Sequence, residues 1–274
     1  MSPPDPLFLA TAVEIVLRAG DIQMSRRQSG FRIDKKGIRD LVTEVDLECE
    51  RMCRSVLADR FPDHDILAEE LSEGPGQAPA ARYRWVFDPV DGTTNYAHGL
   101  PIFCASLALE LDGHPEVAAV YDPTRKELFT AERGEGAYLN GMPLAVSDAT
   151  EVLESLLVTG FPYDVHKRAG DLVGLFAAFL GRARAVRRLG SAALDLCYVA
   201  AGRFEAFWEQ YLKPWDVSAG VLIVTEAGGR VTGMDGSPFN AVAGHLVASN
   251  GGIHDEMLDI IRDFRDERSR NRTD

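Results

Sequence analysis

An apolar strand that ends in two closely spaced aspartates constrains this chain more than any other feature. Residues 85–95 read W-V-F-D-P-V-D-G-T-T-N, so Asp88 and Asp91 flank a proline-containing turn. Both carboxylates can converge there on one hard cation, because Mg²⁺ prefers oxygen ligands. Gly92 lets the backbone approach a ligand closely, and Thr93 and Thr94 lie where a helix would begin, with N–H groups that suit a phosphate. The pattern indicates metal-assisted phosphate chemistry.

The charge of the chain bears on its partners. Lys and Arg number 29 against 42 Asp and Glu, which gives a formal net charge of −13. A protein that binds nucleic acid needs a basic face, so we expect no nucleic-acid partner. An anionic substrate would meet the same repulsion unless bound divalent cations reversed the local field. The acidic balance therefore supports the prediction of metals.

The cysteines and the N-terminal residues bear on the compartment. Cys49 and Cys53 are one helical turn apart, which matches no zinc signature, and Cys104 and Cys197 lie in apolar or helical contexts. Buried, reduced thiols fit the cytoplasm. The N-terminus lacks the basic segment of a signal peptide, and no apolar run is long enough to span a bilayer. We expect a cytoplasmic protein with no membrane partner.

The secondary-structure signals change character near residue 150. Before it, helices are predicted at residues 6–27 and 43–61. Strands are predicted at 65–68, 83–88, 103–111, 117–122 and 127–131, followed by a hairpin around Asn140-Gly141. Beyond it, apolar runs at 155–159, 185–187, 206–208 and 244–248 alternate with helices at 169–181, 191–202 and 218–226. The charged residues 262–274 are expected to fray.

This pattern predicts a layered α/β protein in which helix and sheet layers alternate. Residues 1–150 would form an α+β half with an antiparallel sheet and the metal-binding motif. Residues 151–274 would form an α/β half that completes the site. The site is expected between the two halves.

Three further acidic residues are candidate ligands, and each has a structural alternative. Glu69 follows an apolar run, so it can reach the cation at Asp88 or orient an attacking water, although such a glutamate is ordinarily a solvated loop residue. Asp216 precedes a predicted helix, where an N-cap role and a metal-binding role can hold together. Asp46 ends T-E-V-D, a capping-box pattern, so a structural role is equally expected. The absence of G-x-x-x-x-G-K-[ST] argues against a P-loop kinase.

These motifs, in this order, resemble the inositol monophosphatase family of Mg²⁺-dependent, lithium-sensitive sugar phosphatases. D-P-V-D-G-T-T-N at 88–95 matches the first family motif residue for residue, and W-D-V-S-A-G at 215–220, continuing to E-A-G-G at 226–229, matches the second. Weaker matches are D-L-V-T-E-V-D at 40–46 and G-S-A-A at 190–193. The resemblance extends to about residue 260 and implies an αβαβα sandwich. One departure is Ala68, where the family usually has glycine; the methyl group is tolerated unless the backbone needs a positive φ.

The resemblance also implies the roles of the metal ligands. One Mg²⁺ would be held by Glu69, Asp88 and the carbonyl of Val90, and a second by Asp88, Asp91 and Asp216. A third, weaker ion would lie near Glu69, supported through water by Asp46. Glu69 and Thr93 would position and deprotonate the attacking water. Two to three ions per site are therefore expected.

The substrate contacts follow from the same resemblance. Phosphate would rest on the amides of Gly92 and Thr93, and Lys35 would help to enclose it from a basic segment, residues 30–40, that reads as a loop or hairpin. The sugar side would be contacted by Asp91, Gly190, Ser191, Ala192, Glu209 and Asp216.

The implied activity is hydrolysis of a small phosphate monoester, with myo-inositol monophosphate favoured, and the family implies a homodimer. The alternatives within the class are phosphatases of fructose 1,6-bisphosphate, histidinol phosphate or 3′-phosphoadenosine 5′-phosphate. A regulatory binding protein that retains the fold without catalysis is the alternative of another class. Because no ligand of the implied metal set is missing, the sequence favours the enzyme.

Overall fold

Helices and strands alternate along the chain in the computed structural model, which describes residues 5–35, 41–71 and 82–270. Its helices are α1 (Pro6–Ser29), α2 (Glu44–Arg60), α3 (Thr93–Ala97), α4 (Ala169–Leu180), α5 (Ala192–Ala200), α6 (Pro214–Glu226) and α7 (His254–Arg270). Its strands are β1 (Ile33–Lys35), β2 (Leu41–Thr43), β3 (Asp65–Ala68), β4 (Tyr83–Asp91), β5 (Cys104–Leu111), β6 (His114–Asp122), β7 (Glu127–Glu132), β8 (Gly136–Leu139), β9 (Met142–Pro143), β10 (Leu156–Thr159), β11 (Ala185–Arg187), β12 (Ala206–Gln210), β13 (Arg230–Thr232) and β14 (His245–Ser249).

Within the described residues the strands form two large sheets and one small pair. Strands β3 to β9 make a seven-stranded sheet in chain order, and the second sheet has the order β11-β10-β12-β14-β13. The prediction of an antiparallel first sheet was wrong for β3 and β4, which pair in parallel. Residues 69–82 separate these two strands, and a connection of about a dozen residues permits a parallel crossover. Strands β1 and β2 form an antiparallel hairpin, although residues 36–40 of the predicted basic segment lie outside the described residues.

The elements stack in five layers. Helices α1 and α2 pack on one face of the seven-stranded sheet, and α6 packs on its other face. Helix α5 lies beside α6 and packs on the five-stranded sheet, whose far side is covered by α4 and α7. The predicted αβαβα sandwich is therefore confirmed. The division into two halves near residue 150 stays a prediction, and α6 shows that the second part of the chain also packs on the first sheet. No helix among the described residues is long and apolar enough to cross a membrane.

The central strands are buried on both faces. Along β5, Ala105, Leu107 and Leu109 pack toward α1 and α2, whereas Cys104 and Ala108 pack toward α5 and α6. This alternation is the two-residue period of a strand, and it places an apolar layer on each side of the sheet. All four cysteines are buried and unpaired, as predicted.

Local signals placed several boundaries correctly. The carboxylate of Asp5 accepts the N–H of Leu7 and caps α1. The side chain of Thr43 caps α2, and the carboxylate of Asp46 accepts the N–H of Thr43, so the predicted capping box is present. Asn140 has a φ of 50° and the following glycine a φ of 79°, which is the geometry that a type I′ hairpin requires.

Two helix boundaries differ from the prediction. Helix α6 begins at Pro214 rather than at residue 218, because proline at a first helical position has a suitable φ and no N–H to satisfy. Helix α7 continues to Arg270, although residues from 262 onward were predicted to fray. Ion pairs such as Arg262 with Asp259, at 2.7 Å, support its charged face, and Phe264 packs on the buried residues of the second sheet.

A buried histidine joins the last two strands to α7. His254 is fully buried, with Nε2 at 2.9 Å from the hydroxyl of Thr232 and Nδ1 at 2.8 Å from that of Ser249. Burial, together with the positive charge of Arg230 and against the opposing charge of Asp255, lowers its pKa to about 4. The folded protein therefore holds this ring neutral.

We predict that this histidine destabilises the protein in acid. In the unfolded chain its pKa is about 6.5, so the unfolded state binds the proton first, and stability falls as the pH drops from about 6.5 through 4, by up to about 3 kcal/mol. Denaturant unfolding of the wild type and of His254→Gln between pH 4 and 8 isolates the effect, since all other groups are common to both. Parallel pH profiles for the two proteins would contradict the prediction.

Candidate active site

The two aspartates of the first motif lie at the end of β4. A bulge interrupts the pairing of β4 with β5 between Asp88 and Asp91, so the strand continues through the segment that was predicted as a turn. Oδ1 of Asp88 accepts the N–H of Val90 at 3.0 Å, and the side chain of Gln23 donates to the carbonyl of Pro89 at 2.7 Å. These bonds hold the irregular backbone in one conformation.

Gly92 and the start of α3 follow directly. Gly92 has a φ of 98°, and a Cβ there would lie 2.9 Å from the carbonyl oxygen of Ile102, so only glycine fits. The Thr93 hydroxyl donates to the carbonyl of Val90 at 3.0 Å. The first amides of a helix have no partner within the helix, so this end of α3 can offer N–H groups to an anion.

Asp91 connects the first motif to the G-S-A-A motif. Its Oδ2 accepts the Ser191 hydroxyl and the Ala193 N–H, both at 2.7 Å, and its Oδ1 accepts the Ala192 N–H at 3.3 Å. The carboxylate thus sits on the N-terminus of α5, where the helix dipole favours negative charge. Asn95 adds a second link, because its amide donates to the carbonyls of Ile102 and Leu189 at 2.9 and 2.8 Å.

Asp216 lies inside the first turn of α6, not before the helix as predicted. Its Oδ2 accepts the N–H of Lys213 at 2.6 Å, the back-bond of a capping box. Two residues on, the hydroxyl of Ser218 donates to the buried carboxylate of Glu110 at 2.8 Å, and Arg84 also donates to Glu110. These contacts hold the start of α6 against the seven-stranded sheet.

Glu69 follows β3, which runs parallel to β4 with Ala68 opposite Phe87. The carboxyl ends of both strands therefore meet at the same edge of the sheet. Ala68 is buried in extended backbone without a positive φ, so the methyl group at the family glycine position fits. The buried carboxylate of Glu50 accepts the next two amides, of Glu70 and Leu71, at 2.9 and 3.0 Å, and holds the chain beyond Glu69.

The carboxylate of Asp88 is buried and lies in an acidic environment. Burial raises the pKa of Asp88 well above its ordinary value, and the negative charges of Glu69, Asp91, Asp216 and Asp46 raise it further. The side chain of Asp88 is only 2% exposed. Asp88 and the four acids that act on it repel one another, and the low dielectric around the buried Asp88 strengthens this repulsion.

Asp91 and Asp216 have the same kind of environment. Burial raises the pKa of Asp91, and the bonds from Ser191 and α5 partly offset the shift. Burial raises the pKa of Asp216 to about 7; the Lys213 bond opposes this shift, and the charge of Asp91 adds to it. A divalent cation would remove the repulsion at all of these groups.

The donor chemistry therefore fits Mg²⁺, although the side chains do not yet form a coordination shell. No group of three or more His, Cys, Asp or Glu residues in the described part of the chain already stands in an arrangement that could hold a metal ion. The available donors are carboxylate and carbonyl oxygens, which are the ligands that Mg²⁺ takes.

A cavity of about 660 Å³ opens beside the carboxylates. The residues predicted for substrate binding that line it are Asp91, Gly92, Gly190, Ser191, Ala192, Glu209 and Asp216, and Glu69 lines it as well. Burial raises the pKa of Glu209 to about 8, with a further contribution from Asp216 against the opposing charge of Arg188. Of Lys35 the structure describes only the backbone in β1, so the prediction for its side chain lies outside the described part.

Some polar residues of the cavity were not predicted. Asp195 and Arg188 line it, as does Arg168. Asp195 is the single acid of α5, in the run A-A-L-D-L-C-Y-V-A, and it lies one turn after Ser191. An isolated acid in an apolar helix, on the face of a motif residue, is the signal that would have identified it.

Comparison with known proteins gives a consistent set of relatives. A family model described as the inositol monophosphatase family matches residues 7–268. An inositol-1-monophosphatase of Synechocystis sp. is 43% identical over 259 residues, which cover 93% of this chain and 89% of that protein. A Nus factor SuhB of Pseudomonas aeruginosa is also 43% identical over 259 residues, covering 93% of this chain and 96% of that protein.

Solved structures share the fold. An inositol monophosphatase from Anabaena (Nostoc) sp. superposes with a TM-score of 0.85 at 39% identity, covering 94% of this chain and 96% of that chain. A structure described as an IMPase/NADP phosphatase complexed with Mg²⁺ and phosphate superposes with a TM-score of 0.78 at 27% identity, covering 89% and 91%.

Proposed function

The chain belongs to the inositol monophosphatase family, and we propose that it is a Mg²⁺-dependent phosphatase that hydrolyses myo-inositol monophosphate to inositol and phosphate. The observation that carries the proposal is one cavity lined by Glu69, Asp91 and Asp216, whose charges also reach the buried Asp88. Such a cluster of carboxylates suits a divalent cation, and a cation there would attract a phosphate.

The proposed metal ligands are those of the family motifs. Glu69, Asp88 and the Val90 carbonyl would hold one ion, and Asp88, Asp91 and Asp216 a second. A third ion near Glu69 would bring the number to three. When bound, Mg²⁺ supplies Lewis-acid stabilisation of the charge that develops on the phosphoryl oxygens. The negative charges of the neighbouring acids, which raise the pKa of the buried Asp88, support this assignment.

Glu69 and Thr93 are proposed to act on the attacking water. The Thr93 hydroxyl donates a hydrogen bond to the Val90 carbonyl, so its oxygen can accept a hydrogen bond from water and orient it. Glu69 would accept the proton. Asp46 takes a supporting role, because its Oδ2 accepts bonds from the Thr43 N–H and hydroxyl at 2.8 and 2.6 Å while its charge reaches Asp88.

The substrate would lie across the cavity. Its phosphate would bind the amides of Gly92 and Thr93, with Lys35 closing over it. The inositol hydroxyl groups would face Asp91, Glu209 and Asp216, and the backbone of residues 190–192. Gly160 leaves the space for Glu209, because a Cβ there would collide with the Glu209 carboxyl group.

A second substrate within the class is favoured by one observation. Three cationic side chains, Arg168, Arg188 and Lys213, line the same cavity. A second phosphate, as in fructose 1,6-bisphosphate, would pair with them. Histidinol phosphate and 3′-phosphoadenosine 5′-phosphate complete the set of candidate substrates for a phosphatase of this class.

The similarity to a Nus factor favours a second kind of function. The identity to that relative, 43%, equals the identity to the monophosphatase. A role as a regulatory binding protein, which does not require catalysis, is therefore a second candidate function for this chain.

The experiment that separates these proposals is a phosphate-release panel. Purified protein is assayed with Mg²⁺ on inositol monophosphate, fructose 1,6-bisphosphate, histidinol phosphate and 3′-phosphoadenosine 5′-phosphate, with and without Li⁺. We expect the highest kcat/KM for inositol monophosphate and inhibition by Li⁺. The highest kcat/KM for fructose 1,6-bisphosphate would favour a bisphosphate substrate whose second phosphate binds the three cationic side chains. Release of phosphate from none of the compounds would favour the regulatory role.

Two further properties are proposed with the activity. Four buried, unpaired cysteines support a reducing compartment such as the cytoplasm. Membership in the family supports a homodimer, which analytical ultracentrifugation would test.

A further inference from the structure

One buried acid in the wall of the cavity is not accounted for by the proposed chemistry. Asp195 lies on α5 and is 1% exposed, yet it lines the cavity. Its Oδ1 has no hydrogen-bond partner. A buried polar oxygen without a partner is unfavourable, and such oxygens are rare in folded proteins. Its position therefore points to a ligand.

The groups around Asp195 are polar and are also not bonded to each other. Burial raises the pKa of Asp195 well above its ordinary value; the charge of Glu209 raises it further, and the charge of Arg188 lowers it. Among the described residues no ion pair within 4.0 Å joins the Arg188 guanidinium to either acid. The guanidinium of Arg188 lies directly beside Gly190, since a Cβ added to Gly190 would be 2.5 Å from Nη1 of Arg188.

Two carboxyl groups and one guanidinium thus line the same cavity without a hydrogen bond or ion pair between them in the described structure. A ligand that fits must offer hydrogen-bond donors to the acids and an acceptor to the arginine. A hydroxyl group can do both, because it carries one donor and two acceptor lone pairs. A polyol offers several hydroxyl groups at fixed spacing, whereas a simple aryl group offers none.

We propose that Asp195 is a specificity-determining residue that accepts a hydrogen bond from a hydroxyl group of a polyol phosphate, beside Glu209 and opposite Arg188. The inference rests on the proposed phosphatase function and deepens it. A site built to hydrogen-bond a substrate hydroxyl discriminates against substrates without one, because its buried polar groups are then left unpaired.

The test compares two substrates in two variants. Asp195→Ala removes the acceptor, and Asp195→Asn keeps one oxygen of the same shape. With inositol monophosphate we expect KM to rise about tenfold in Asp195→Ala, the loss of one hydrogen bond to a buried carboxyl group, with kcat changed by less than about twofold. Asp195→Asn should lie between it and the wild type. With p-nitrophenyl phosphate, which has no hydroxyl group on its aryl ring, both variants should match the wild type.

A matched control is available on the same helix. The hydroxyl of Tyr198 is also buried without a partner, but Tyr198 does not line the cavity. Tyr198→Phe should leave KM for both substrates unchanged. Because Oδ1 of Asp195 has no hydrogen-bond partner in the free protein, Asp195→Asn should not lower the unfolding temperature, whereas a structural role for the carboxylate would lower it.

The outcomes are distinguishable. An equal rise in KM for both substrates, or no rise for inositol monophosphate, would overturn the role of Asp195 while the phosphatase activity stands. Wild-type protein that releases phosphate from neither compound would overturn the proposed function, and this inference with it.

Discussion

Asp91→Asn is expected to lower kcat for phosphate release by at least about a thousandfold, because a metal ion in such a site supplies several kcal/mol of stabilisation to the transition state. Asp91 is a proposed ligand of the second ion and also faces the substrate cavity. Asparagine leaves only one side-chain oxygen at this position. That oxygen would be taken by the Ser191 hydroxyl and the Ala193 N–H, so none would remain for a cation.

The choice of asparagine follows from the bonds that Asp91 makes. Alanine would remove the acceptor for three donors at the start of α5 and would change stability as well as activity. Asparagine keeps the two shorter bonds and loses only the longest one, from the Ala192 N–H, so its unfolding temperature should remain within a few degrees of the wild type.

The measurement is steady-state phosphate release with saturating Mg²⁺, together with circular dichroism and thermal unfolding. Asp59→Asn, at an exposed position of α2, is the control for the loss of one negative charge and should keep wild-type kcat. Activity of Asp91→Asn within tenfold of the wild type, in folded protein, would exclude Asp91 from the metal site.

Mg²⁺ is expected to stabilise the wild-type protein against heat, and Asp88→Asn is expected to abolish that response. A ligand at one hundred times its dissociation constant stabilises the folded state by about 2.7 kcal/mol, which corresponds to a rise of about 5–10 °C for a chain of this size. Asp88 is the proposed ligand shared by two ions, so its loss should affect both.

Without metal, the same substitution should have the opposite effect. Asp88 is buried against the negative charges of Glu69, Asp91, Asp216 and Asp46. Asparagine removes this repulsion and keeps the bond from the Val90 N–H, so metal-free Asp88→Asn should unfold at a higher temperature than metal-free wild type.

The two effects together distinguish a cation site from an acidic surface. Thermal unfolding is measured in EDTA and over a Mg²⁺ titration, with Asp59→Asn as the charge-matched control that should respond like the wild type. A Mg²⁺ response in Asp88→Asn as large as in the wild type would show that the ions bind elsewhere.

Much of the fold could be predicted because its signals are local. Thr43 and Asp46 are three residues apart and form the capping box that their spacing indicates. The apolar runs of β5 and β6 also form the predicted strands, and they are buried because both faces of each strand are covered. The start of α6 was missed because a valid N-cap, Asp216, lies two residues inside a helix that begins at Pro214.

The candidate site was predicted only in part. The motif residues Asp88, Asp91 and Asp216 could be recognised as carboxylates in suitable patterns, and the fold brings them together; their roles as metal ligands stay predictions. Asp195 was not recognised, because its one local signal, an acid in an otherwise apolar helix, does not reveal which groups it faces. Its importance depends on the neighbours that the fold supplies, Glu209 and Arg188.

The sequence by itself determined which functional groups are available: two aspartates at a strand end, a glycine that permits close backbone approach, and a helix that starts after them. Backbone propensity, capping and turn geometry act over a few residues, so a linear pattern carries them. The tertiary structure decided which groups share one cavity. Asp91 meets Ala193 across 102 positions of the chain, and Ser218 meets Glu110 across 108. Such contacts arise from the packing of helices between two sheets, and that packing brings acids from distant parts of the chain to line one cavity.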